Sequence, residues 1–296
     1  MAALQHVPVM TREIVALLRP DRGGVYVDCT VGLGGHSRAL LEAGASRVVG
    51  LDRDLDALAA AQESLEQWAD RVELVHADYR DLPRVLDARG IEQVAGALAD
   101  LGVSSMQLDA ANRGFSFRRD EPLDMRMDRS QGPTAAQLLR DVDEHALADV
   151  IFQYGEERFS RRIARAIVAA RAEAAVQTTG QLAQIVRRAV PRKGYQRIDP
   201  ATRTFQALRI WVNRELEGLD AFLAAAAERL LTGARLAVIS FHSLEDRIVK
   251  HVFRALERGG AALRIVTKRP LVPSEAEVEA NPRARSAKLR AIERVA

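Results

Sequence analysis

Residues 25–36, Val-Tyr-Val-Asp-Cys-Thr-Val-Gly-Leu-Gly-Gly-His, constrain this chain more than any other stretch. An apolar run containing Val25 and Val27 gives way to Gly32, Gly34 and Gly35, and a helical pattern then runs over 37–43 until Gly44. Strand, glycine turn and helix form the opening of a nucleotide-binding βα unit. The glycines let the backbone turn sharply and approach a ligand where a Cβ would collide. The helix that follows offers free N–H groups to an anion.

A second unit gives that turn its meaning. Residues 47–52, Arg-Val-Val-Gly-Leu-Asp, read as a buried strand ending in Asp52, 20 residues after Gly32. At this spacing an acid accepts hydrogen bonds from ribose hydroxyls. The competing role for Asp52 is a helix cap, because a helical pattern begins at once with Asp54, Leu55 and Leu58. The order Gly32-x-Gly34-Gly35 after a strand-end acid, Asp28, departs from the dinucleotide fingerprint G-x-G-x-x-G. It is more typical of S-adenosylmethionine enzymes than of a dehydrogenase. Asp28 is then expected near the methionine ammonium, directly or through water, with Gly34 and Gly35 admitting the methionine part.

The alternation continues. Residues 72–79 predict a third strand ending at Asp78 and Tyr79, an acid and an aromatic suited to the adenine amino group and ring face; a turn cap is the competing role for Asp78. Residues 94–105 predict a fourth strand with Asp100 at its end, followed closely by Gln107. A strand-end acid beside a glycine is costly unless it has a partner, so Asp100 is expected to serve cofactor or substrate. Residues 234–242 predict a fifth strand ending in Phe241 and His242, with a helix over 244–256. For His242 a structural role competes with base stacking or a phosphate contact. Segments 263–267 and 288–295 read as a closing strand pair, joined by a polar connection over 270–286.

Between the fourth and fifth strands the pattern changes. Residues 112–129 are irregular and charged, with Phe115 and Phe117 set among arginines. Helical patterns then cover 134–140, 144–153, 158–174 and 179–190, for example Ile163 with Ile167 and Leu182 with Ile185 and Val186. The predicted fold is α/β: a Rossmann-like doubly wound sheet, of the kind that binds S-adenosylmethionine, with an inserted all-α domain. The expected division is 1–107 with 201–296 for the sheet domain and 108–200 for the helical substrate (RNA) domain. Residues 158–214 hold 13 basic side chains and only two acids, Glu173 and Asp199. A solvated face would mix signs, so this bias fits a polyanion. The loop 191–197 adds Arg192, Lys193 and Tyr195 as phosphate and stacking groups. On the helical stretch 202–216, Phe205, Arg209 and Asn213 share a face and are expected to be a working face, with Leu208, Trp211 and Val212 in the core.

Composition removes other classes. The single cysteine, Cys29, excludes a disulfide framework and a cysteine metal cluster and suits a reducing cytoplasm; no metal site is expected. No apolar run is long enough to span a membrane, and the first residues lack a signal-peptide pattern. His6 reads as a surface or cap residue, and residues 11–18 as a helix starting at Thr11.

Taken together, the stretches resemble the bacterial ribosomal RNA small subunit methyltransferase H family. The resemblance is carried by His-Val-Pro-Val-Met (6–10), the Asp-Cys-Thr-Val-Gly-Leu-Gly-Gly-His-Ser turn (28–37), Ala-Asp-Leu-Gly-Val-Ser-Ser-Met-Gln-Leu-Asp (99–109), Arg-Gly-Phe-Ser-Phe (113–117) and Pro-Leu-Asp-Met-Arg-Met-Asp (122–128). Arg-Thr-Phe-Gln-Ala-Leu-Arg-Ile-Trp-Val-Asn-Arg-Glu (203–215) and Ile-Ser-Phe-His-Ser-Leu-Glu-Asp-Arg (239–247) extend it through nearly the whole chain. It implies a class I S-adenosylmethionine-dependent methyltransferase fold, methylation of the N4 amine of a cytidine in the decoding region of 16S rRNA, cytoplasmic work on the small ribosomal subunit, and often a homodimer. It also implies S-adenosylmethionine contacts at Gly34, Gly35, His36, Asp52, Tyr79, Asp100 and Gln107, although the Tyr79 position often holds Phe.

Such a transfer needs an acceptor for an N4 proton, because the cytosine amine is a poor nucleophile; Asp100 is the candidate. Many DNA amino-methyltransferases follow this acid with two prolines and an aromatic, which Asp100-Leu-Gly-Val-Ser-Ser lacks, so Phe115, Phe117 or Phe241 is the candidate base stacker. With Arg192, Lys193, Tyr195, Arg203, Arg209 and His242 they make up the RNA-contact candidates. Two alternatives stand beside this: an RNA-binding assembly factor with a regulatory S-adenosylmethionine pocket, and a DNA amino-methyltransferase.

Overall fold

The structure, a computed structural model, describes residues 8–191, 198–260 and 262–295. His6, Arg192, Lys193 and Tyr195 lie outside the described residues. The chain forms two units, Met1–Gly102 with Leu216–Ala296, and Val103–Glu215. In chain order, the first unit opens with α1 (Thr11–Leu18), β1 (Val25–Asp28), α2 (Gly35–Glu42), β2 (Arg47–Asp52), α3 (Leu55–Ser64), β3 (Val72–His76), α4 (Leu82–Asp87) and β4 (Val94–Asp100). The second contains α5 (Ser105–Asp109), α6 (Ala135–Asp141), α7 (Glu144–Gly155), α8 (Ser160–Glu173), α9 (Thr179–Ala189) and α10 (Ala201–Asn213). The first then resumes with α11 (Leu219–Glu228), β5 (Leu230–Ser240), α12 (Ser243–Arg258), β6 (Leu263–Ile265), α13 (Glu275–Ala280) and β7 (Lys288–Arg294).

The sheet order is β3-β2-β1-β4-β5-β7-β6. The five strands from β3 to β5 are parallel, and β7 runs antiparallel to both β5 and β6, the closing pair expected from sequence. Strand residues alternate between two covered faces, as the period of two requires. Val27, Val49, Leu51, Ala97 and Val238 pack with Leu82, Leu86, Phe222 and Phe253 on one side. Tyr26, Val48, Leu98 and Ile239 pack with Ile14, Leu18 and Leu40 on the other. The chain leaves β1 toward β2 and β3, then returns to place β4 on the opposite side of β1. That reversal opens a crevice at the carboxyl ends of β1 and β4, where open α/β sheets bind ligands.

The helical unit has its own core, built from Leu123, Met125, Leu147, Ile151, Ile163, Ile167, Leu182, Val186, Phe205 and Leu208 among others. Thr134, Asp143 and Thr178 cap α6, α7 and α9, each side chain accepting a backbone N–H of the first turn. The division between units falls at 102/103 and 215/216 rather than at 107/108 and 200/201. The reason is α10: Ala201, Phe205 and Leu208 are buried in the helical core, so this helix belongs with α6–α9. The 270–286 connection is also more ordered than its polarity suggests, since it contains α13 and a 3-10 turn at Pro282–Ser286. Among the described residues no helix is long and apolar enough to cross a membrane.

Candidate functional site

The crevice edge of the sheet is built from strand-end acids and the turn between β1 and α2. Asp28 ends β1 fully buried, accepting from the Thr30 N–H (3.2 Å) and the Ser37 hydroxyl (2.8 Å). Burial raises its pKa, against the pull of His36 and of these hydrogen bonds. Its carboxylate is thus engaged inside the turn and holds it in shape. Thr30 passes the order on, its Oγ1 accepting the Asp100 N–H at 2.7 Å.

Asp52 ends β2 with both oxygens engaged by backbone: Oδ2 accepts from Gly32 N (2.8 Å) and Oδ1 from Asp54 N (2.9 Å). The cap of α3 is Asp54, whose side chain accepts from Asp56 N, so the cap role does not fall to Asp52. Each Asp52 oxygen retains a lone pair for a further donor such as a ribose hydroxyl. Burial pushes its pKa up to about 6, despite the two backbone hydrogen bonds that favour the charge.

Asp100 ends β4, and its Oδ2 lies 3.4 Å from His36 Nε2. Both atoms of the His36 ring that can hydrogen-bond, and Asp100 Oδ1, are buried without a hydrogen-bond partner. Orphaned buried polar atoms are rare and mark places where a ligand completes the network. Burial alone would lower the pKa of His36; Asp100, Asp28 and Glu277 outweigh it and raise it. Glu277, on α13, also accepts the Met10 N–H at 2.6 Å, tying the start of α1 to this region.

The turn glycines serve packing as well as approach. A Cβ on Gly34, at φ 81°, would sit 2.8–2.9 Å from Ser64 and Leu65, and one on Gly35 2.8 Å from Pro8. Their missing side chains therefore let α3 and the Pro8 segment close against the turn. Only Gly32, at φ 52°, leaves open space where a Cβ would stand.

Other expected residues are engaged differently. Asp78 caps the 3-10 turn Tyr79–Asp81 and is paired bidentately with Arg80 (2.7 and 2.8 Å) and with Arg53 (3.2 Å), which hold its pKa low against burial. The structural role of Asp78 wins. Tyr79 is half-buried and tilts against Phe222 with ring centroids 4.7 Å apart. Gln107, in the helical unit, forms a capping box with Ser104 and spends its side-chain oxygen on the Ser104 N–H. His242 caps α12 in a second capping box, with Glu245 accepting from the Phe241 and His242 N–H groups. The cap accounts for Nδ1, while Nε2 lies 3.1 Å from Glu245 Oε1 and is buried without a hydrogen-bond partner.

The RNA-contact candidates divide. Phe115 is a core residue of the helical unit, not an exposed stacker. Phe117 packs edge-on against Phe205 at 4.8 Å, beneath the Arg187 guanidinium. Arg209 is locked bidentately to buried Glu215 (2.9 and 2.8 Å), and Asn213 bridges the Met125 carbonyl and the Met127 N–H, each at 2.7 Å. The expected working face of Phe205, Arg209 and Asn213 is thus an internal fastening for the irregular 112–129 segment. Arg203 is exposed and 3.8 Å from Glu157, while Phe241 is half-buried beside Gly102. Thr30 and Glu277 were not among the expected residues. Thr30 lay inside the turn motif, but nothing in the sequence pointed to Glu277.

An adenosyl-methionine donor suits this edge. Asp52 has acceptor capacity for a ribose, the space at Gly32 is open, and Asp100 Oδ1 and the His36 ring nitrogens lack hydrogen-bond partners. Residues 3–295 match the model of the MraW methylase family. The chain is 53% identical over 99% of its length to ribosomal RNA small subunit methyltransferase H of Nitrobacter hamburgensis, of which 92% is covered. It is 52% identical to that of Synechococcus elongatus, over 99% of this chain and 96% of the other. It is 48% identical to that of Pelobacter propionicus over the full length of both. The chain belongs to the MraW methylase family and is an S-adenosylmethionine-dependent methyltransferase.

Proposed function

We propose that this chain methylates the exocyclic N4 amine of a cytidine in 16S rRNA of the small ribosomal subunit, in the cytoplasm. The observation that carries the chemistry is Asp100 Oδ1, an acceptor without a partner at the end of β4. The names of the relatives favour ribosomal RNA as the substrate. S-adenosylmethionine, when bound, supplies a methyl group on an electron-poor sulfonium.

Asp52 receives the ribose hydroxyls, and Tyr79 covers the adenine. The Gly32–His36 turn presents backbone to the methionine part. Asp100 accepts a hydrogen bond from the N4 amine, so that the nitrogen lone pair turns out of conjugation toward the methyl. The N4–methyl bond forms as the sulfur–methyl bond breaks, and the surplus N4 proton leaves through Asp100 or to water. Alignment of the two reactants contributes most of the remaining acceleration. His36 is a positioning residue: its ring beside Oδ2 fixes the carboxylate and leaves Oδ1 for the amine.

The test is methyl incorporation into free 16S rRNA, small subunits and naked DNA, with mass spectrometry of the modified nucleoside. N4-methylcytidine at one 16S position is expected. Transfer to DNA alone would favour a DNA amino-methyltransferase. Tight binding of S-adenosylmethionine without any transfer would favour an assembly factor.

A further inference from the structure

The structure sorts the basic side chains between residues 158 and 214. Arg187 is paired with Asp199 (2.8 Å) and Arg209 with Glu215 (2.8 Å), Arg203 lies near Glu157 (3.8 Å), and Arg171 donates to the Leu139 carbonyl. Much of the apparent excess is thus answered inside the helical unit. Among the described residues, four of the others lie together at the start of α8, while Arg188 stands exposed on α9. Arg158, Arg161, Arg162 and Arg165 are all exposed. At about 100° per residue Arg161, Arg162 and Arg165 fall within an arc of roughly 100° on α8, and Arg158 lies in the turn just before the helix. The opposite side, Ile163, Ala164 and Ile167, enters the core.

Acids do little for this stripe. Arg165 reaches Glu144 at 3.4 Å, in an exposed pair. Arg158 lies over the Phe159 ring, 4.6 Å from its centroid. Arg161 and Arg162 have no acidic partner among the described residues. The first turn of α8 carries no acid. The adjacent Glu157 is buried and accepts from the Phe159 N–H at 2.8 Å. Like charges three and four residues apart repel, and cations oppose the positive end of the helix dipole. A sequence that sets four guanidinium groups there bears a cost that an external polyanion would remove. From Arg161 to Arg165 the rise is about 6 Å, which spans roughly two strand phosphates at their spacing along a duplex axis. Guanidinium forks suit bidentate phosphate binding.

We propose that Arg161, Arg162 and Arg165 on α8, with Arg158 in the turn just before it, form the face by which the helical unit grips the phosphate backbone of its RNA. The proposal rests on the rRNA function above. Phosphate contacts fix position and carry no sequence information, so the face sets affinity and register rather than the choice of nucleotide.

The test uses the full chain and in vitro transcribed, end-labelled 16S rRNA, titrated by fluorescence anisotropy between 50 and 300 mM NaCl. One variant is R158Q/R161Q/R162Q/R165Q; a second replaces the same four residues by Lys. The Gln variant should bind roughly 100-fold more weakly near 0.1 M salt, with a log–log salt slope shallower by about 3. The Lys variant should keep most of the slope, and both should bind S-adenosylmethionine as the wild type does, which shows them folded. An unchanged affinity and slope in the Gln variant, beside a wild type that binds, overturns the face alone. A wild type that binds neither free 16S rRNA nor small subunits overturns the rRNA function, and the face with it.

Discussion

The carboxyl edge of the sheet and the face of α10 both attracted attention as working surfaces, and they fared differently. At the sheet edge, Asp100 Oδ1 and both ring nitrogens of His36 are buried with no hydrogen-bond partner in the protein, although His36 Nε2 stands 3.4 Å from Asp100 Oδ2. On α10, Arg209 and Asn213 are fully occupied by Glu215, Met125 and Met127. Chemistry-bearing residue types occur in both places. What separates them is whether the fold satisfies them itself. A group satisfied internally stabilises the fold; a buried group left unsatisfied needs a ligand.

Substitutions can break this contrast. The largest effect is expected at Asp100: Asp100→Ala should lower methyl transfer by about 10²–10⁴-fold with little loss of thermal stability, measured by turnover and melting together. A large drop in stability would place Asp100 with the internally satisfied group. Phe115→Ala should do the reverse, costing about 3–5 kcal/mol in urea unfolding, since it empties a core site. Weakened RNA binding at undiminished stability would restore Phe115 as a stacking residue. Arg209→Ala leaves buried Glu215 uncompensated and should cost about 3–5 kcal/mol, with S-adenosylmethionine affinity unchanged by calorimetry.

Asp52 offers a pH-dependent version of the comparison. Its pKa of about 6 lies above the ordinary 3.8, so the folded chain holds this proton more tightly than the unfolded one. As pH falls from about 6 to about 4, this group therefore adds stability to the unliganded fold, at most about 3 kcal/mol. Over the same range it loses acceptor capacity, so S-adenosylmethionine affinity should fall toward tenfold per unit below pH 6. Calorimetric titrations at pH 7.5, 6 and 5 check this; a flat profile would remove Asp52 from the ribose site. The smallest effect is expected at His242, where His242→Ala should cost about 1 kcal/mol as a lost helix cap and leave RNA affinity unaltered.

The strand-end residues were legible because strand and turn geometry leave few choices. A glycine turn after a buried strand and an acid 20 residues on fix a βα unit, and Asp52 lands where that unit requires. Asp78 was open in sequence because an acid after a strand serves equally as ligand or cap, and only the positions of Arg53 and Arg80 decide between them. Phe115 and Arg209 misled for a related reason. Aromatic residues in an irregular, charged stretch look exposed, yet Phe115 enters the helical core and the stretch is tied to Asn213, while Arg209 on α10 is taken up by Glu215. Glu277 could not be found at all, since its partner Met10 is 267 residues away.

By itself the sequence determined the alternation of strands and helices, the turn that must lie at a ligand, and the helical insert with its arginines. Those properties depend on period, spacing and composition, which are local. The tertiary structure alone decided which polar groups are already satisfied: Asp28, Asp78 and Arg209 inside, Asp100 and the arginines at the start of α8 left over. Hydrogen bonds and ion pairs act only over a few ångströms, so their assignment waits on which distant segments the fold brings together.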